Sequence, residues 1–344
     1  MFLTRIASSI ALPLLLFTFL LVTVPRVSAQ QPAAAPADQA AINRAIDNGV
    51  RYLRAVQTPS GTWGEGTGAG SGKGWGVGYT ALAGVALVEC GVSTSDPGLR
   101  RAHAWVKSYV GELDQTYEVS LAILFLDQMG DKRDRRLIQV LASRLIAGQS
   151  ATGGWGYKVP KLTSGQQEQL LGALRKMNPP APPPAPSMRS RPSSLGLCIK
   201  ASEDVRPDPA SNFDPEKARA AAIASLPKGM KQLPVFGGRG GIALEADPKD
   251  KRNDPIVGTT DNSNTHFAML AMWAARKHEI PVERSLELLA NRFRTSQGGD
   301  GTWGYDYSKN GGGGSQAFTC VALLGLAIGH VVDPEVAVTP EKDP

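Results

Sequence analysis

The chain has 344 residues, 42% hydrophobic and 20% charged, which is enough apolar material for a core and excludes a disordered chain. Its net charge of +6 includes Arg5 and Arg26, which lie in a removable segment described below; the remainder is too small and scattered for a nucleic-acid footprint. Three cysteines allow at most one disulfide and exclude a disulfide-built secreted module.

The N-terminus reads as an address. Arg5 supplies a positive start, and Ile10–Val24 is an apolar run broken only by Pro13, Thr18 and Thr23. Val27, Ser28 and Ala29 then place small residues before Gln30. This pattern predicts a signal peptide over residues 1–29 and export to the periplasm or beyond. Left uncleaved, the run approaches the ~20 residues of a bilayer span and would act as a membrane anchor. Residues 30–39, rich in Ala and Pro, read as a flexible linker.

One pattern then organises the chain. Gln57, Gly61 and Trp63 share the spacing Q-x-x-x-G-x-W with Gln149, Gly153 and Trp155 and with Gln297, Gly301 and Trp303. Each stretch closes an amphipathic helix. Ala41, Ile42, Ala45, Ile46, Val50 and Leu53 fall at helical spacing before the first. Leu137, Val140, Leu141, Leu145 and Ile146 do so before the second, and Leu286, Leu288, Leu289 and Phe293 before the third.

A second kind of helix follows. Thr80–Cys90 and Thr319–Gly329 are apolar on nearly every face, as buried helices are. Tyr117–Asp127 and Thr265–Arg276 match them, and Leu99–Val110 adds an amphipathic helix with no motif of its own. Eight helices of alternating kind predict four α-hairpins. Trp63 precedes Thr80 by 17 residues and Trp303 precedes Thr319 by 16, whereas Trp155 precedes Thr265 by 110. Residues 161–260 are therefore an insertion. Within it Gln166–Met177 and Pro215–Leu226 read as short helices, Pro179–Ser194 as a stiff spacer, and Gly237–Gly241 and Ala246–Thr260 as mobile loop. Residues 331–344 read as a disordered tail.

The three Q-x-x-x-G-x-W stretches resemble the QW motif of the prenyltransferase and squalene-oxidase repeat family, which includes the terpenoid cyclases. Thr319–Leu326 (TCVALLGL) and Phe267–Trp273 (FAMLAMW) are similar to that family's inner helices. The likeness covers about residues 40–160 and 261–330 and is greatest to secreted bacterial members of unknown function. It implies an all-α fold, an α/α toroid with an inner ring of helices wrapped by an outer one. The family's full ring has six hairpins, so this chain would make a partial ring or complete it by other means. The motif residues read as structural: the glycine permits a tight turn, the Gln amide satisfies helix-end groups, and the Trp covers the junction.

Function is less specified. Alkene cyclisation needs a buried acid, which the family carries as D-x-D-D-T-A at an inner-helix start. In register here stand Asp261, Asn262, Ser263, Asn264, Thr265 and His266. A hydroxyl or an amide at Ser263 and Asn264 has no proton acidic enough to give. Asp261 remains, and Asp, Ser, Asn and Thr before an apolar run are also helix-capping residues. Protein prenyl transfer, the sister activity, holds zinc through Asp-x-Cys and a distant His, and no Asp-x-Cys is present.

A gap-free alignment of the apolar helices sets Ala81, Glu118, His266 and Cys320 at equivalent positions near one end. There Glu, His and Cys would suit zinc, or Cys and His a nucleophile pair. Plainer roles compete: Cys320 in the core, His266 at a helix start, and Glu118 beside a positive helix end. Glu118 and Asp261 are the sole carboxylate pair near one cavity end for glycosidase-type chemistry. No cysteine has a Gln three residues away, as a thioester needs. Gly66–Gly76 lacks phosphate-loop order, because Gly74 follows Lys73. Asp131–Arg136 reads as a solvated helix face, and His103, His278 and His330 lie apart.

The expectation is an exported, non-catalytic binding or interaction module with an apolar cavity and no cofactor. Its partners would be a lipid-like or other apolar small molecule, or a protein reached through the insertion. The alternative is an enzyme on an isoprenoid or other apolar substrate, using Glu118, His266, Cys320 or Asp261, with zinc as the metal it would take.

Overall fold

A computed structural model describes residues 38–64, 76–177, 215–239, 260–308 and 313–332. The leader, the linker up to Ala37, the glycine-rich loop before Gly76, the spacer Pro179–Ser194, the stretch Ala246–Thr259 and the tail beyond Val332 lie outside the described residues. Contacts divide the chain into two units, Met1–Ala45 and Ile46–Pro344. In the first, the described residues are the start of a helix, with Gln39 Nε2 donating to Asn43 Oδ1 at 2.9 Å and Arg44 3.5 Å from Asp38.

The described residues are all-α, with isolated backbone bridges and no strand among them. In order the helices are α1 (Gln39–Val56), α2 (Gly76–Glu89), α3 (Pro97–Tyr109), α4 (Thr116–Met129) and α5 (Arg135–Gly148). Then come α6 (Ser164–Met177), α7 (Pro215–Ala224) and α8 (Lys228–Lys231) within the insertion. Last are α9 (Asn262–Ala275), α10 (Glu283–Thr295) and α11 (Gln316–Val332). Local chemistry sets the ends. Asp96 accepts from Gly98 N at 2.8 Å and Leu99 N at 3.2 Å, with Pro97 opening α3. Gly130, at φ +67°, ends α4 in a left-handed cap.

The apolar helices α2, α4, α9 and α11 pack in series, each beside the next. Three of them also fill a groove between the two helices of the following hairpin. Thus α2 lies against α3 and α4, α4 against α5 and α9, and α9 against α10 and α11. Glycines allow the closest approaches: a Cβ on Gly84 of α2 would fall 2.3 Å from the Phe125 ring of α4. The insertion adds to this core. Helix α6 packs on α5 and α7, and a tight turn at Pro234–Phe236 packs on α10. The first residues of the expected loop at Gly237–Gly241 continue that turn, with Gly237 N and Gly238 N donating to Pro234 O and Leu233 O.

The three Q-x-x-x-G-x-W stretches fold alike. The glutamine amide donates to the glycine carbonyl of its own turn, at 2.9, 2.9 and 3.0 Å for Gln57, Gln149 and Gln297. The glycines Gly61, Gly153 and Gly301 sit at φ +90°, +80° and +80°, where any other residue is strained. Each indole N–H reaches back to the preceding helix, at Leu53 O, Leu145 O and Phe293 O. Each Trp backbone N–H donates to a threonine hydroxyl in the apolar helix that follows, at Thr80, Thr265 and Thr319. Asp261 N donates to Trp155 O at 3.2 Å, as Ser315 N does to Trp303 O at 2.9 Å. The long insertion therefore leaves the local turn unchanged.

The turns differ in their second partner. Gln57 Nε2 also donates to Gly98 O at the start of α3, and Gln149 Nε2 to Ser285 O at the start of α10. Gln297 is exposed and has no second acceptor among the described residues.

Candidate functional site

The N-terminal ends of the apolar helices meet the segments that leave the tryptophan turns. Thr116 N donates to Tyr157 O at 2.8 Å, and Asn262 N to Tyr305 O at 2.7 Å. Tyr157 is thereby held at the start of α4 and Tyr305 at the start of α9. Their hydroxyls lie 2.9 Å apart, and Tyr117 OH donates to Ser263 Oγ at 2.6 Å. Phe267 packs on Tyr117, and Phe318 meets Tyr305 edge-on with ring centres 5.5 Å apart. The result is a rim of aromatic rings and hydroxyls. Burial pushes the phenols of Tyr117 and Tyr305 up, so both remain protonated donors at neutral pH.

Asp261 belongs to this end and is fully engaged there. Its two carboxylate oxygens accept from Asn264 N and Asn264 Nδ2, each at 2.7 Å. That makes it the N-cap of α9. Glu118 is buried in the first turn of α4, and its carboxylate accepts from Gly78 N at 3.3 Å at the start of α2. Burial pushes its carboxyl up, against the lowering effect of the Gly78 and Val77 amides, and Asp114 adds to the rise. A carboxyl raised in the fold favours the fold at low pH, an advantage complete below the ordinary value of 4.5 and lost as pH rises through the folded value. Glu118→Gln keeps an acceptor without the charge. It is expected to melt above the parent at about pH 7 and level with it at about pH 4. A lower melting temperature at neutral pH would show that the charge itself is needed.

His266 is half-buried, stacks on Phe267 and makes no hydrogen bond among the described residues. Burial pushes its imidazole down, leaving it neutral at pH 7. Cys320 is an exposed free thiol on α11, not a core residue, and Ala81 is fully buried. The four expected site residues do not converge as ligands. Among the described residues the one group of three ligating atoms is His103, Asp131 and Asp134.

That group does not fit a metal either. Buried Asp134 is held by both His103 and Lys107, and Asp131 is taken by Arg133 through its Nε and Nη2. Two cations already answer the two carboxylates, which would have to be displaced by an incoming ion. The cluster ties α3 to the start of α5, so Asp134 is an internal anchor rather than part of a solvated face. His278 likewise pairs with Asp127 at 2.9 Å, joined by Lys277. Zinc chemistry at Glu118, His266, Cys320 and Asp261 finds no support in this geometry.

Arg292 is the group that the spacing of motifs did not single out. It is 1% exposed and donates to Asn262 Oδ1, Thr152 Oγ1, Thr260 Oγ1 and Thr260 O. Its guanidinium lies 4.9 Å from the centre of the Tyr307 ring. Burial lowers its pKa to about 10. The side chain binds the second tryptophan turn, the entry to α9 and the third turn together. Its signal is positional: Arg292 stands between Leu289 and Phe293, on the stripe of α10 that faces the core.

Comparison with known proteins finds no matching family model, no matching curated protein and no matching solved structure.

An apolar groove opens beside α2. Between α1 and α2, Leu53, Trp63, Gly64, Tyr79, Leu82, Ala83 and Ala86 line this groove of about 400 Å³. Its walls are hydrocarbon and aromatic ring. Tyr79 and Leu82 are 52% and 46% exposed, an unusual loss of cover on a helix as apolar as α2.

Proposed function

We propose that this chain is an exported, non-catalytic binding module of the prenyltransferase and squalene-oxidase repeat kind, built as a partial α/α toroid. The observation that carries the reading is the apolar groove between α1 and α2. Its volume of about 400 Å³ falls within the ~300–1,000 Å³ of ligand-holding clefts. It offers burial to an apolar chain or side-chain ridge and almost nothing to a polar one. The state of the rim supports binding over catalysis: Asp261 and Glu118 accept from amide N–H groups, and His266 and Cys320 share no partner. Three alike tryptophan turns and four apolar helices packed in series support the family reading and the partial ring. Export rests on the leader at residues 1–29.

The test is an apolar fluorescent probe, N-phenyl-1-naphthylamine, titrated against the exported protein and its Ala86→Trp variant. Filling the groove with an indole is expected to weaken probe binding at least tenfold while the helical circular dichroism is unchanged. Equal binding by both proteins would sink the reading.

A further inference from the structure

We propose that the occupant of the α1–α2 groove is helix α11 of a second copy of this chain, so that copies join head to tail. The inference rests on the binding reading above and names the partner. It follows from how the hairpins fill one another. The groove between α3 and α4 holds α2, that between α5 and α9 holds α4, and that between α10 and α11 holds α9. Among the described residues no apolar helix precedes α1 to enter the first groove, between α1 and α2. Nor, among the described residues, does a hairpin follow α11 to offer it a groove.

Registers at both ends show what is uncovered. Thr80, Thr265 and Thr319 mark the same position in α2, α9 and α11, since each accepts from a tryptophan N–H. Four residues on stand Gly84, Met269 and Leu323. Gly84 is buried and faces Phe125 of the next apolar helix, and Met269 is buried beside Gly325 of α11. Leu323 is 56% exposed. At the other end Ile46, Ile138 and Leu286 stand eleven residues before their motif glutamines. Ile138 and Leu286 are fully buried, while Ile46 is 41% exposed.

The turns carry the same asymmetry. A Cβ on Gly61 would strike Arg101 of α3 at 2.5 Å, and one on Gly153 would strike Leu288 O of α10 at 2.0 Å. On Gly301 it would meet nothing nearer than its own Gln297 Nε2, at 3.9 Å. The third turn is therefore a socket for the amphipathic helix of a following hairpin, with one Gln297 N–H still to donate. In the head-to-tail arrangement α1 of the copy that offers the groove takes the third-turn socket of the second copy, whose α11 enters that groove. End repeats that stay single carry a polar outer face; here the side chains of Ile46, Leu82 and Leu323 are exposed and apolar. Such an interface joins different surfaces and so propagates into rings or filaments.

The experiment is light scattering on the exported protein with two single variants, Leu82→Glu in the groove and Leu323→Glu on α11. Both side chains are exposed, so each variant is expected to keep the parent's circular dichroism and melting temperature. The parent is expected to associate with rising concentration, each variant to be monomeric alone, and an equimolar mixture to stop at a heterodimer. That heterodimer would use the groove of one variant and the α11 of the other. Association that survives Leu82→Glu, or a mixture that stays monomeric, would overturn the head-to-tail arrangement. A parent that is monomeric but still binds the naphthylamine probe in its groove overturns the second copy and leaves the binding reading standing. A monomeric parent that binds no probe overturns both.

Discussion

Gly153→Ala is expected to destabilise the protein by about 3–5 kcal/mol, whereas Gly301→Ala costs about 1 kcal/mol. Both positions have φ +80°, so both variants carry the same left-handed strain. The difference lies in what the added methyl meets. At Gly153 it would sit 2.0 Å from Leu288 O, a backbone atom inside α10 that moves only if the helix does. Displacing α10 also breaks the bonds from Gln149 to Ser285 and from Arg292 to Thr152. At Gly301 the methyl meets open space. Urea unfolding of the two variants side by side separates strain from collision. Equal losses would mean that the turn conformation alone, and not the seating of the next helix, sets the need for glycine.

Trp155→Ala is expected to cost about 3–5 kcal/mol, a large share of the ~5–15 kcal/mol by which a domain is stable. The indole is fully buried, and its N–H satisfies Leu145 O at 2.7 Å near the end of α5. Truncation leaves both a cavity and an orphaned carbonyl. Trp155→Phe fills most of the space without the donor and should recover about half of the loss. Thermal melts of the pair apportion packing and hydrogen bond; a phenylalanine variant no better than alanine would give the hydrogen bond the larger part.

The eight helices of the hairpins were readable because they depend on local pattern. All-round hydrophobicity marks α2, α4, α9 and α11, and strict spacing marks the three turns. Both are properties of residues within one or two helical turns of each other. The candidate site depends on contacts that spacing does not encode. Asp134 meets His103 from 31 residues away, and Asp127 meets His278 from 151. No window along the chain contains both partners. The gap-free alignment set Glu118, His266 and Cys320 at one level of their helices, but level is not direction. Glu118 turns to the amides of α2, His266 lies on Phe267, and Cys320 lies on the end helix, where no neighbour among the described residues covers it. The motif residues were expected to be structural, and their bonds are to helix ends. A basic residue in a last helical turn is ordinary; Arg292 is set apart by its place on the core-facing stripe of α10 and by its burial.

The bridge from Asp261 N to Trp155 O has a consequence for how this chain tolerates change. It staples the two ends of the insertion together at its root, so the apolar helices sense the 3.2 Å between those atoms and not the length of chain beyond them. The entropy of closing a loop grows only with the logarithm of its length, about 0.6 kcal/mol for each doubling. Apart from α6, α7 and the Pro234–Phe236 turn, which pack into the core, a segment hung from such a staple is free to change in length while α5 and α9 keep their places. Novelty in this protein has an inexpensive place to accumulate.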